Sequence, residues 1–197
     1  MHFRLTYAGQ LLASRNDKTQ SKRSLHKHDI RKSFHKQLKC LWSEHPVLSR
    51  GHTSAPVIGS TSMKSEIDSL GFRWKPIVTE KNGLICALDI LLLRHGAPGR
   101  TIQDIDNRVK TIFDALCMPR SPEALGAALP EGPRTPDADE SPFYVLLEDD
   151  SLITHLSVTS DILLEPVEGV PADQSARLVI SVTVRPYNVT QDNLDFS

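Results

Sequence analysis

Two aspartates, Asp104 and Asp106, stand two residues apart, and Lys110 follows the second by four. A second acidic run, Glu148-Asp149-Asp150, comes directly before an apolar stretch. Hard divalent cations prefer carboxylate oxygens, and magnesium usually takes one or two carboxylates together with water and substrate phosphate. Residues two apart on an extended backbone face the same side, so Asp104 and Asp106 can reach one ion. Asp150 would bring a third carboxylate from a separate strand. Lys110 lies one helical turn beyond Asp106, on nearly the same side, where its ammonium could hold a phosphate oxygen. An ion so placed activates water and polarises a phosphoryl group. The chemistry this pattern supports is phosphodiester hydrolysis. Each half also has an ordinary structural explanation. Asp-x-Asp near a helix start can be a cap, and Glu-Asp-Asp-Ser can be a solvated turn. Asn107 and Asp149 read as supporting residues that orient the ligands, and Asp114 as a surface or supporting residue rather than a ligand.

The elements that must position these residues follow from periodicity. His2–Tyr7 alternates as a first strand. Ile30, Phe34, Leu38, Leu41 and Trp42 make one apolar stripe on a helix spanning roughly 26–44. Lys81-Asn82-Gly83 predicts a type I′ hairpin joining Phe72–Thr79 to Leu84–Leu93. That second run is apolar at nearly every position, which predicts a strand covered on both faces. Val109, Ile112, Phe113 and Leu116 give one buried face to a helix over roughly 106–117. Asp106 can cap it, and Pro119 stops it. Phe143–Leu147, Leu152–Val158 and Leu178–Val184 read as strands. The expected fold is α+β: a small mixed sheet of about five strands packed with two main helices, in one domain over residues 1–197. The basic segment 14–24, the insertion 119–142 with its six prolines, and the tail 187–197 are expected to be poorly ordered.

Charge is distributed unevenly. Residues 1–50 hold eleven Lys/Arg against three Asp/Glu, and residues 51–197 hold twelve against twenty-one, for a net charge of −1. A basic N-terminal quarter suits a polyanion. Arg31, Lys32, Lys36 and Lys39 could track a phosphate backbone, and Arg94 and Arg100 could steer it toward the acidic site. No apolar run approaches the roughly 20 residues that span a bilayer. The three cysteines, Cys40, Cys86 and Cys117, are widely spaced and read as reduced thiols of a cytoplasmic protein. His26, His28 and His35 have no Cys or acidic partners in a metal-site spacing. No glycine-rich phosphate loop and no Gly-x-Ser-x-Gly occurs.

The run Asp104-Ile-Asp106-Asn107-x-x-Lys110-x-x-x-Asp114-Ala-Leu, with an acidic pair ahead of a strand, resembles the RusA family of Holliday junction resolvases. The resemblance covers roughly residues 84–116 and 147–160. It implies a homodimeric α+β endonuclease that cuts branched DNA with magnesium, or with manganese in its place. It implies Asp104, Asp106 and Asp150 as metal ligands and Lys110 as the residue assisting cleavage. The long insertion and the extended basic N-terminal region depart from the family pattern. Two rival expectations follow: a nucleic-acid-binding protein that keeps the fold without turnover, and a metal nuclease with another nucleic-acid substrate.

Overall fold

The computed structural model describes residues 1–12, 20–49, 65–95, 105–126, 134–190 and 193–197, apart from the side chains of Gln20 and Ser21. Among these residues seven strands and three α-helices form, and the architecture is α+β. The strands do not make one five-stranded sheet. They divide into a four-stranded sheet of order β1-β7-β4-β6 and a three-stranded sheet of order β2-β3-β5. The first holds β1 (His2–Gln10), β4 (Leu84–Arg94), β6 (Ile153–Ile162) and β7 (Ser175–Pro186). The second holds β2 (Ile67–Ser69), β3 (Phe72–Val78) and β5 (Phe143–Leu147). Within the larger sheet β7 is antiparallel to both β1 and β4, while β4 and β6 run parallel.

The predicted hairpin is replaced by a change of sheet. Gly83 N–H donates to Glu80 O at 2.9 Å and Leu84 N–H to Thr79 O at 3.2 Å, so the chain does reverse there. Only Gly83 of the pair has positive φ, +59°, whereas a type I′ turn needs it at Asn82 as well. The chain then leaves β3, which pairs with β2 and β5, and enters β4, which pairs with β6 and β7. A turn signal fixes a reversal, not the partner that follows it. Gly83→Ala is expected to cost about 1 kcal/mol from the left-handed backbone alone. Its Cβ would also sit 3.2 Å from Asn193 Nδ2. A urea melt of the variant measures the loss.

Helix α1 (Gln20–Glu44) buries Ile30, Phe34, Leu38 and Trp42 at four-residue steps, as the stripe predicts. It also buries Ser24, His28, Arg31 and His35, a wider face than apolar spacing shows. The reason is that α1 is packed from several sides: β1, β5, α3 (Ile105–Leu116) and the 3-10 turn Pro122–Leu125 all touch it. The short α2 (Pro46–Ser49) follows, with Leu48 buried. Leu84, Cys86, Leu88, Ile90 and Leu92 of β4 meet Leu178, Ile180, Val182 and Val184 of β7 beneath these helices. A second cluster joins Phe72, Trp74, Leu125, Phe143 and Val145. Phe72 and Trp74 are therefore committed to packing. Their rings stack at 5.2 Å, and Trp74 Nε1 donates to Ser69 O at 2.9 Å.

Strand β4 is not covered on both faces. Its residues alternate, with Asp89 and Leu91 exposed and Ile85, Ala87 and Leu93 half-buried. Two of the segments expected to be loose are anchored where they are described. In the insertion, Leu125 and Glu140 are buried. At the C-terminus, Phe196 enters the core, and Asn193 Nδ2 donates to Asn82 O and Asn188 O, each at 2.9 Å. Residues 13–19 of the basic segment and 127–133 of the insertion lie outside the described residues.

Candidate functional site

Helix α3 and β6 deliver the two acidic motifs. Asp106 is exposed in the first turn of α3, where an acidic side chain suits the free N–H groups. Lys110 and Asp114 follow at four-residue steps, so the three share one stripe. Asn107 O accepts from Thr111 Oγ1 at 3.1 Å within the helix. Asp104 and Arg100 lie outside the described residues. Asp150 opens a single 3-10 turn, Asp150–Leu152, that leads into β6. Asp149 caps that turn, its Oδ1 accepting from Ser151 N–H at 2.9 Å.

The structure brings Asp150 to the C-terminal end of α3. Cys117, just past that end, bridges to Leu147, and Met118 N–H donates to Leu147 O at 3.0 Å. This joins the helix end to the strand that runs into Asp149 and Asp150. Eleven residues at about 1.5 Å each separate Asp106 from Cys117, a distance of roughly 16 Å. Within one chain, then, Asp106 and Asp150 stand at opposite ends of α3. Among the described residues no three His, Cys, Asp or Glu side chains gather closely enough to hold a metal ion.

Asp150 instead meets Asp114, which the sequence reads as a surface or supporting residue. Asp114, Asp149 and Asp150 line one cleft of about 520 Å³ together with Arg23, Lys27 and Arg120. Lys27 Nζ pairs with Asp114 Oδ2 at 2.5 Å. Arg120 pairs with Asp149 and reaches to 3.9 Å from Asp150 Oδ1. The insertion supplies Arg120, and its turn at Pro122–Leu125 packs against α1. The approach is close: a Cβ on Gly126 would come within 2.7 Å of Leu25. Burial pushes the Cys117 thiol up to about 12, and the Asp150 charge adds to the shift, so this thiol is inert beside the cleft. A signal for Asp114 was present in the four-residue spacing from Lys110. Nothing in the sequence marked Lys27 or Arg120, whose roles depend on chain segments far apart.

The cations proposed to hold DNA are used in different ways. Arg31 is 1% exposed and donates to Asp114 O at 2.5 Å and Cys117 O at 3.1 Å. It closes the C-terminal end of α3 and presents no surface to a phosphate. Lys32 pairs with Asp137 and Glu140, each at 2.7 Å. Burial opposes its charge, but those hydrogen bonds prevail and raise its pKa. Lys36 and Lys39 are exposed, and Lys39 Nζ donates to Asp139 O at 3.4 Å. The acidic end of the insertion thus covers part of the basic face of α1. Arg94, at the far end of β4, donates to Ser160 Oγ at 3.2 Å.

Of the three α1 histidines, none sits in a metal cluster among the described residues. His35 Nδ1 accepts from Tyr144 N–H at 2.8 Å, which ties α1 to β5. His28 is fully buried beside Phe143, and burial, reinforced by the Arg31 charge, pushes its pKa down to about 3 from the ordinary 6.5. Above pH 6.5 His28 is neutral in both folded and unfolded chains. Between 6.5 and 3 only the unfolded chain takes the proton, so His28 makes stability fall as pH falls. His28→Gln is expected to flatten the stability profile over that window relative to the unsubstituted chain. Denaturant melts at successive pH values measure the difference.

No family model matches the chain, and no curated protein or solved structure is significantly similar to it. None of the described helices is long and apolar enough to cross a membrane.

Proposed function

We propose that the chain is a magnesium-dependent endodeoxyribonuclease acting on branched DNA, of the RusA type, working as a cytoplasmic homodimer in recombination and repair. The observation that carries this reading is one cleft lined by the carboxylates of Asp114, Asp149 and Asp150 together with Arg23, Lys27 and Arg120. Carboxylates beside cations are what a phosphodiesterase site requires: oxygen donors for a hard ion, and positive groups for the phosphate. Magnesium, or manganese in its place, would polarise the phosphoryl group and lower the pKa of a bound water. The resemblance assigns metal binding to Asp104, Asp106 and Asp150, with Lys110 assisting. Asp114 and Asp149 share the cleft with Asp150, and the cations beside them would hold the phosphate, so the proposal puts the chemistry at that end.

A second reading, DNA binding without turnover, draws on one contact. Arg120 already compensates the acidic pair Asp149–Asp150. Incubating a synthetic four-way junction, a flap, a nicked duplex and a hairpin RNA with the chain in magnesium or manganese separates the readings. Metal-dependent cutting of the junction supports the first. Salt-sensitive binding with every substrate intact supports the second, and cutting of another substrate alone redirects the proposal to that substrate.

A further inference from the structure

The outer face of the four-stranded sheet is built unlike a solvated one. Antiparallel sheets commonly leave one face to water, and that face then reads polar. Here the outward residues of β4, next to the centre line, are Ile85, Ala87, Asp89, Leu91 and Leu93, four of them apolar. Leu91 is 37% exposed. It lies beside Val179 of β7 in the register, so the apolar strip extends across the middle of the sheet. None of the described helices packs on this face; the buried residues all belong to the other side. This is the same run, Leu84–Leu93, whose composition calls for cover on both sides.

Charge on the face is divided by strand. Arg4 on β1 and Arg177 and Arg185 on β7 point outward, as do Asp89 on β4 and Asp161 on β6. One half of the face therefore carries three arginines and the other two aspartates. Asp89 stands 3.9 Å from His155, with both side chains more than half exposed. The register places Arg4 in the same row as Asp89, and Arg177 in the same row as Asp161.

We infer that this face binds a second copy of the chain, sheet against sheet, about a two-fold axis that runs along the strands. Such an axis turns the sheet order around. β1 of one copy then lies over β6 of the other, and β7 over β4, so the basic half covers the acidic half. Rows keep their height. Leu91 meets Val179 of the second copy, Arg4 comes beside Asp89, and Arg177 comes beside Asp161, each twice by symmetry. An axis across the strands would instead set β1 on β1 and arginine against arginine. Four strands about 4.8 Å apart and nine residues of about 3.3 Å give a face of roughly 600 Å². Two such faces bury roughly 1,200 Å² in total, the lower end of stable interfaces. The same axis points equivalent strand ends in one direction, so both Asp150 clefts open at one end of the dimer. That gives the homodimer of the proposed function two sites on one side, although the interface itself stands or falls independently of catalysis.

The test is the dimer dissociation constant of the full chain by analytical ultracentrifugation, with circular dichroism melts as a folding control. Leu91→Arg is expected to weaken the dimer on the order of a hundredfold, because it sets a charge in the apolar centre. Asp89→Arg and Arg4→Asp should each weaken it about tenfold, and the double exchange should restore it. A chain that is monomeric at every concentration overturns the inference. So does a dimer indifferent to Leu91→Arg, which would place the contact elsewhere, such as along β6, the last strand in the sheet order. A double exchange no better than the single changes rejects the strand-parallel axis. Junction cleavage assayed in parallel separates the two claims: loss of cutting in Asp150→Asn with an unchanged dimer concerns the site alone.

Discussion

Asp150→Asn is expected to lower magnesium-dependent junction cleavage by about 10²–10³-fold while leaving the thermal midpoint unchanged. The two halves of that expectation rest on different features. The loss follows from removing one anionic oxygen from a site whose other contributors, Asp114, Asp149 and the cations Lys27 and Arg120, remain. The unchanged stability follows from exposure: the Asp150 side chain is 59% accessible, and the cap of its 3-10 turn is made by Asp149. An amide of the same shape therefore costs the fold nothing measurable. Asp106→Asn is the necessary companion, since Asp106 lies at the other end of α3. A large loss in Asp150→Asn with a small one in Asp106→Asn places the chemistry at the cleft. The reverse moves it to the helix start. Rates within twofold of the original in both variants remove the carboxylate mechanism altogether.

Elements whose residues repeat at a regular period were legible in the sequence. Ile30, Phe34, Leu38 and Trp42 specify the face of α1, and Leu178 to Val184 specify the inward side of β7. Partners were not legible. The Asn82-Gly83 turn reverses the chain, but which sheet β4 joins depends on β7, almost a hundred residues later. The apolar run of β4 predicts cover on both faces, whereas its residues alternate and Leu91 is exposed, because composition records a need for burial and not its source. Arg31 and Lys32 look alike in sequence to Lys36 and Lys39. Only the closeness of the α3 end and of Glu140 makes the first a buried cap and the second a tether. The candidate site shows the same limit. Asp150 and the Asp106–Lys110–Asp114 stripe were visible, while Arg23, Lys27 and Arg120 come to the cleft from α1 and the insertion.

Arg31 carries the other large expected effect, on stability. Its guanidinium satisfies two carbonyls at the end of α3, those of Asp114 and Cys117, and lies 3.2 Å from His28 Nδ1. Burial lowers its pKa only to about 10, so it stays charged at neutral pH. Arg31→Ala removes those donors, leaves the carbonyls of Asp114 and Cys117 without them at the wall of the cleft, and opens a cavity where the long stem packed. Each buried unsatisfied group costs about 1–3 kcal/mol, and losing a buried charged partner about 3–5 kcal/mol in total. For a chain of 197 residues that corresponds to a fall in thermal midpoint on the order of 10 °C. Arg31→Lys keeps the charge but cannot reach both carbonyls, so it should fall between. The competing role, a direct phosphate contact, makes a different prediction. Removing such a contact lowers the salt slope of DNA binding by about 0.9. Measured below the melting range, Arg31→Ala should leave that slope unchanged. Lys27→Ala, which takes a cation from the cleft, should reduce it by about one unit with little loss of stability, since its partly exposed pair with Asp114 contributes at most about 1 kcal/mol. A slope reduced by Arg31→Ala without a lower midpoint would return Arg31 to the DNA surface.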